Sequence, residues 1–200
     1  MSTGRNLDDV LARYFRDYLS RNQAAMTLKR RLDELGIGLA PLADHLAIRT
    51  DKIDRRAEEF LQFGYSFSET LDYTDWYAKV YRKPGYPPLF IDQAYEGDRG
   101  KTSVIPQWVA QFGDRTLHHI AVRVEDIEVA IARLQQAGVG FAGTIIGEKG
   151  GPLRQIFTVP EQVNGAPFSV LELAERHEGY LGFMPPQADG LMRSTVLTGA

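Results

Sequence analysis

Four histidines, no cysteine and a scatter of carboxylates are the groups in this 200-residue chain that could do metal or acid–base chemistry. Two of the histidines lie in nearly the same setting, Asp44-His45-Leu46-Ala47-Ile48-Arg49-Thr50 and Leu117-His118-His119-Ile120-Ala121-Val122-Arg123-Val124. His45 and His119 are 74 positions apart (119 − 45), and the same offset relates Arg49 to Arg123, Ile53 to Ile127, Gln62 to Gln136, Gly64 to Gly138 and Phe67 to Phe141. Similarity held at one offset marks a supersecondary unit used twice. A carboxylate to accompany the two imidazoles stands in Phe168-Ser169-Val170-Leu171-Glu172-Leu173. Glu172 interrupts an apolar run there, and burying it is costly unless it is paired or bound to a metal.

His45, His119 and Glu172 are therefore the expected metal ligands. Two imidazoles and one carboxylate on one face of a metal leave adjacent positions open, the arrangement of non-haem Fe(II) oxygenases. Fe(II) is the expected ion, and the same donors can hold Zn, Mn or Ni. His118 falls on the opposite strand face from His119 by alternation, and His177 lies past the end of the Glu172 strand, so neither is expected to bind. Asp92, in Pro88-Leu89-Phe90-Ile91-Asp92, would add a fourth ligand, but the alignment of the two copies sets Ile91 opposite Glu172.

Charge narrows what such a site would take. Arg49 and Arg123, four residues after each histidine, share its strand face and should point into the same cavity. The rigid guanidinium fork suits carboxylate or phosphate, and Arg123 could alternatively hold Glu172. Tyr77 and Lys79, alternating in Trp76-Tyr77-Ala78-Lys79-Val80-Tyr81, could extend an anion pocket. A small anion that chelates metal through neighbouring oxygens, such as a 2-oxo acid, fits these charges, with O2 as co-substrate. Ser169 and Ser194 have no evident His–acid partners nearby in sequence, which leaves nucleophilic hydrolysis little support.

Each copy opens with a run of strand periodicity, His-x-Ala-x-Arg on one face and aliphatic residues on the other. A helical pattern follows: Ile53, Ala57, Phe60 and Leu61 closing at Gly64, then Ile127, Ala130, Ile131 and Leu134 closing at Gly138. Three strand-like runs complete each copy: Ser68–Tyr73, Trp76–Arg82 and Pro88–Gln93 in the first, Thr144–Glu148, Leu153–Val159 and Phe168–Ala174 in the second. The fold class is α+β, two tandem β-α-β-β-β modules forming a cupped mixed sheet around the metal site. Five segments are expected: an N-terminal helical pair over 1–40, a first module over 41–96, a linker over 97–115, a second module over 116–184 and a tail over 185–200. The helical pair either covers a sheet edge or closes the site, and the tail either docks over the site or is disordered.

Composition excludes several classes. Apolar content of 44%, charged content of 24% and a net charge of −3 belong to an ordinary soluble protein with a core. No basic run marks a nucleic-acid partner, no apolar stretch is long enough to span a membrane, and no signal peptide is evident. The absence of cysteine rules out disulfides, thiolate catalysis and iron–sulfur ligation and fits a cytoplasmic location. A homodimer exchanging modules is compatible with the pattern.

Paired modules that each open His-[Leu/Ile]-Ala resemble the vicinal oxygen chelate superfamily, which includes glyoxalase I, extradiol dioxygenases, 4-hydroxyphenylpyruvate dioxygenase and antibiotic-binding proteins. The resemblance spans about residues 42 to 184. It implies ligands from the first strand of each module and the last strand of the second, again His45, His119 and Glu172. Leu153-Arg154-Gln155-Ile156-Phe157-Thr158, with the later Gly182-Phe183, is similar to the C-terminal part of 4-hydroxyphenylpyruvate dioxygenase, which implies that Gln155 and Phe183 face the substrate. Asp44-His45-Leu46-Ala47-Ile48-Arg49-Thr50 is similar to the metal-histidine motif of the 2-oxoadipate dioxygenase/decarboxylase (hydroxyglutarate synthase) family. That resemblance implies that Arg49 grips the distal carboxylate of the substrate. The implied activity is Fe(II)-dependent oxidative decarboxylation of a small 2-oxo acid with hydroxylation. A glyoxalase-type isomerase or lyase, or a small-molecule-binding protein of the same fold, are the alternatives.

Overall fold

The computed structural model describes residues 6–197. Helix α1 (Leu7–Leu19) begins at Asn6, whose side chain accepts from the Asp9 amide, and α2 (Gln23–Glu34) begins at Asn22, which accepts from Ala25. Both are N-caps that satisfy a backbone donor the first turn leaves open. The first module follows as β1 (Ala43–Arg49), α3 (Ile53–Leu61), β2 (Ser66–Asp72), β3 (Trp76–Arg82) and β4 (Leu89–Ala94). Helix α4 (Ile105–Phe112) connects it to β5 (Leu117–Val124), α5 (Ile127–Gln136), β6 (Phe141–Ile146) and β7 (Leu153–Thr158). A hairpin, β8 (Gln162–Val163) and β9 (Ala166–Pro167), precedes β10 (Val170–Arg176), and α6 (Pro185–Leu197) ends the described chain. Asn164 and Gly165 both take positive φ at the hairpin tip, the backbone that an Asn-Gly pair provides most readily.

The two modules repeat one topology. In the first, β1 runs parallel to β4, and β4, β3 and β2 follow antiparallel; in the second, β5 runs parallel to β10, and β10, β7 and β6 follow antiparallel. The parallel closure requires a crossover, and α3 and α5 supply it. The expected α+β, β-α-β-β-β architecture is thus present twice, with the β8–β9 hairpin added in the second copy.

The chain divides into two compact units that do not follow the sequence halves. One consists of the segment up to Arg21 with Leu46–Leu117, the other of Asn22–His45 with residues from His118 onward. Helix α1 belongs to the first unit and α2 to the second. In the first unit α1 lies against α3, with Tyr14 and Phe60 rings 5.9 Å apart and Arg13 3.4 Å from Glu59. In the second, Asn22 donates to the Ser169 hydroxyl at 3.0 Å, and the Ala24 amide donates to Glu161 at 3.1 Å. Asn22 thus caps α2 and ties it to the strand end that leads into β10. Strand β1 is shared, giving Ala43–His45 to the second unit and Leu46–Arg49 to the first.

Two local expectations change. The linker carries two full turns of helix in α4, with Ile105 and Trp108 buried. The weakly patterned tail forms α6, and its Leu191 packs with Phe157, Val170 and Ile146 of the second unit. Residues 198–200 of the tail lie outside the described residues. Among the described residues no helix is long and apolar enough to cross a membrane.

Candidate metal centre

His45, His119 and Glu172 come together within the second unit, all of them buried. His45 is the last residue that β1 gives to that unit, His119 is the third residue of β5, and Glu172 is the third of β10. Parallel pairing sets Val170 beside His119 and Glu172 beside Ala121, so ligand and ligand are diagonal neighbours on one sheet face.

The geometry is a near-equilateral triangle. His45 Nε2 lies 3.4 Å from Glu172 Oε2, His119 Nε2 lies 3.2 Å from the same oxygen, and the two Nε2 atoms are 3.4 Å apart. Ligand bonds of ~2.1 Å give neighbouring donors about 3.0 Å apart in an octahedron and about 3.4 Å apart in a tetrahedron. The three atoms stand at or just under the tetrahedral spacing and ~0.2–0.4 Å wider than the octahedral one, so a single divalent ion fits among them with a small movement of the rings.

Electrostatics shape the same triad. Burial opposes charge on His45, but the Glu172 and Asp44 carboxylates outweigh it and hold the imidazole up at about 9. Burial likewise opposes charge on Glu172, and the two imidazoles outweigh it and hold the carboxyl down at about 2. A cation entering the triangle finds an ionised oxygen and must displace a proton from His45.

Each ligand histidine is held from behind by the residue that precedes it. Asp44 Oδ2 lies 2.9 Å from His45 Nδ1, and His118 Nδ1 lies 2.9 Å from His119 Nδ1. Asp44 and His118 occupy matching positions in the two modules, so the orienting contact is duplicated while its chemistry has diverged. Fixing Nδ1 in this way presents Nε2 to the metal. Gln155, on β7 with Phe157 paired to Glu172, donates its amide to Glu172 Oε1 and leaves Oε2 for the triangle. Phe183 stands edge-on to His45 with ring centroids 5.0 Å apart, and Phe157 tilts against His119 at 5.1 Å.

The family profile of the glyoxalase/bleomycin resistance protein/dioxygenase superfamily matches residues 44–156. The chain belongs to that superfamily. No curated protein matches it in sequence. Among solved structures, a protein of Shewanella frigidimarina NCIMB 400, provisionally assigned as a hydrolase, superposes with a TM-score of 0.77 at 20% identity, covering 91% of this chain and 99% of its own. A glyoxalase-superfamily protein of Ralstonia eutropha JMP134 gives 0.67 at 13% identity, covering 88% and 84%. A mutant 4-hydroxymandelate synthase of Streptomyces coelicolor gives 0.62 at 18% identity, covering 82% of this chain and 57% of its own. At these identities the likeness is one of fold.

Of the other expected site residues, Arg49, Tyr77 and Lys79 belong to the first unit and Arg123 to the second. Tyr77 and Lys79 lie on the α3 side of β3, because register pairs Ala78, not its neighbours, with Asp92. Lys79 binds Asp54 at 2.6 Å, and Tyr77 packs on Tyr95 at 5.0 Å. Arg49 is buried beside Asp92 in register, with its guanidinium 5.4 Å from the Trp108 ring, and burial lowers its pKa to about 10 against the pull of Asp92. Arg123 stands at the exposed end of β5 instead of in a cavity, since the strand leaves its buried stretch at Val122. Phe90, not Ile91, corresponds to Glu172: Ala47 pairs with Phe90 as Ala121 pairs with Glu172. Asp92 corresponds to Ala174 and belongs with Arg49, so the first module offers no carboxylate at the ligand position.

Asp44, Arg176 and His118 are the site residues that sequence reasoning missed. Asp44 precedes His45 directly, and Arg176 follows Glu172 by four on the same strand face, so a signal existed for both. His118 is the neighbour of His119 on β5, and alternation gave no sign that its ring would reach the His119 Nδ1. A second acidic group, Asp126, Glu128 and Glu175, also comes within reach of one ion, but Arg154 lies 2.6 Å from Glu128, and His177 2.7 Å from Glu175. Arg154 also lies 3.2 Å from Glu175, so two of those three carboxylates are already answered by its guanidinium.

Proposed function

We propose that this protein is an Fe(II)-dependent dioxygenase that oxidatively decarboxylates a small 2-oxo acid, with 2-oxoadipate the leading candidate. The observation that carries the reading is the buried triangle of His45, His119 and Glu172 with three and only three donors among the described residues of that group. A facial set of two histidines and a carboxylate leaves adjacent positions for substrate oxygens and O2. The 4-hydroxymandelate synthase likeness is compatible with it at the level of fold. Phe90 stands at the place that matches Glu172, so the first module does not supply a fourth ligand there; a glyoxalase-type isomerase would have to rely on a general base near the metal.

Bound in the triangle, ferrous iron would supply the Lewis acidity and the electrons that dioxygen chemistry requires. The protein's own part is positional. Asp44 and His118 fix the two imidazole rings, and Gln155 fixes the free oxygen of Glu172. Phe183 and Phe157 place apolar rings against His45 and His119, which keeps water from the ligand edges. Arg49 is assigned to the far carboxylate of the substrate on the resemblance of its motif alone. In the balanced reaction one oxygen atom enters the new carboxylate, the other the hydroxyl group, and the original carboxylate leaves as CO2.

The experiment is dissolved-oxygen consumption by Fe(II)-reconstituted protein with a panel of 2-oxo acids led by 2-oxoadipate. Uptake with one member, matched by equimolar CO2, is the expected result, and Arg49→Ala raises its KM. No uptake across the panel by protein shown to hold iron refutes the oxygenase and transfers the site to isomerase, lyase or binding chemistry.

A further inference from the structure

Arg176 makes more contacts around the triad than any role in strand pairing requires. Its Nε donates to Asp44 Oδ1 at 2.7 Å and its Nη2 to Asp44 Oδ2 at 2.8 Å, a two-pronged grip on the carboxylate that orients His45. Its Nη1 donates to the Gly182 carbonyl at 2.7 Å and reaches the Tyr180 carbonyl at 3.5 Å. Its guanidinium carbon lies 5.3 Å from the Phe183 ring, the ring that stands edge-on to His45. The side chains of Arg176 and Asp44 are 2% and 6% exposed, so water does not compete for these bonds. Tyr180 reinforces the same turn by donating its hydroxyl to the Phe183 carbonyl at 3.2 Å.

We propose that Arg176 is a positioning residue that couples the orientation of His45 to the ordering of residues 180–183. One guanidinium plane holds the carboxylate behind the ligand and the carbonyls of the segment that lays Phe183 on the ligand. Turning the His45 ring to accept an ion moves Asp44, and Asp44 is bonded to the group that anchors the segment. The segment closes when the ligand is set and loosens when it is not. Planarity is essential, because a lysine would carry the charge without the parallel bonds to both carboxylate oxygens. This inference rests on the metal-binding part of the proposed function and is independent of the oxygenase part.

The test uses Co(II), which reports its ligand field in the visible spectrum, with affinity measured by chelator competition. Hydrogen exchange of the 180–183 amides is followed with and without the ion. Wild type is expected to bind one equivalent and to gain protection over 180–183. Arg176→Met weakens Co(II) binding 10- to 100-fold, the range found for residues behind a metal ligand. It also shifts the spectrum and abolishes the Co(II)-linked protection; Arg176→Lys does not restore them. Because Arg176→Met leaves Asp44 buried without its cation, the double variant Asp44→Asn/Arg176→Met serves as the folding-competent control and is expected to show the same losses. Wild-type affinity, spectrum and linked protection in a folded double variant would overturn the proposal while leaving the metal centre standing. Failure of wild type itself to bind Co(II) would instead remove the metal centre on which it rests.

Discussion

Loading the triad with a divalent ion should release close to one proton at neutral pH. In the metal-free protein His45 is held at about 9 by Glu172 and Asp44, against burial, so at pH 7 it is almost fully protonated. Glu172, held at about 2, has no proton to give there. The ion must therefore displace the His45 proton, and affinity follows the fraction of His45 already deprotonated. For a group at about 9 that fraction rises roughly ninefold between pH 7 and pH 8, worth about 1 kcal/mol of binding free energy. A histidine at its ordinary value would give a rise of only about 1.3-fold over the same interval. Calorimetric titration with Co(II) in two buffers of different ionisation enthalpy counts the protons, and repetition at pH 8 gives the slope. Release of less than half a proton at pH 7, or an affinity flat between pH 7 and 8, would refute the view that the carboxylates hold His45 charged.

The same shifts fix how the metal-free protein responds to pH. A raised His45 contributes stability that is fully present below about 6.5 and is lost as pH rises through about 9, and a depressed Glu172 contributes stability that is present above its ordinary range and lost as pH falls through about 2. Chelator-treated protein should show falling Tm from pH 6.5 to 9, whereas Co(II)-saturated protein should not. Leu191→Ala, which opens a gap beside Phe157 and Val170, should cost about 2–4 kcal/mol in denaturant unfolding. Lys79→Ala should change stability by less than ~1 kcal/mol, because its partner Asp54 is largely exposed, and should leave KM unaltered.

The duplicated strand was the most legible part of the chain. A gapless offset cannot survive unless both copies keep the same strand, helix and turn, so the two modules and the matched placement of His45 and His119 follow from it directly. Glu172 was legible for another reason, since a carboxylate in an apolar strand needs a partner. What the offset could not carry was register between strands distant in sequence. Alternation along β3 put Tyr77 and Lys79 on one face, but only pairing with β4 decides that this face meets α3. The same limit set Ile91 opposite Glu172 where Phe90 stands, because the hairpin inserted before β10 breaks the constant offset. Arg123 failed as a copy of Arg49: burial depends on what covers the end of a strand, and that differs between the modules. Asp44 and Arg176 could each be placed near the triad by their spacing from His45 and Glu172, but the bond between them, 132 residues apart, had no local signal.

That distance bears on how the protein is made. The unit that holds the triad draws on Asn22–His45 and then on nothing until His118, so its first strand residues leave the ribosome long before their partners. His45 and Asp44 must wait through the whole of the first module, and the site cannot exist until Glu172 and Arg176 have emerged. Contacts of such separation form late in folding, after the loop entropy has been overcome. Metal can then enter only a nearly finished protein; it can lock the fold but cannot template it. Cells that synthesise this chain in metal-poor medium should accumulate folded, metal-free protein in place of misfolded intermediates, ready to be loaded afterwards.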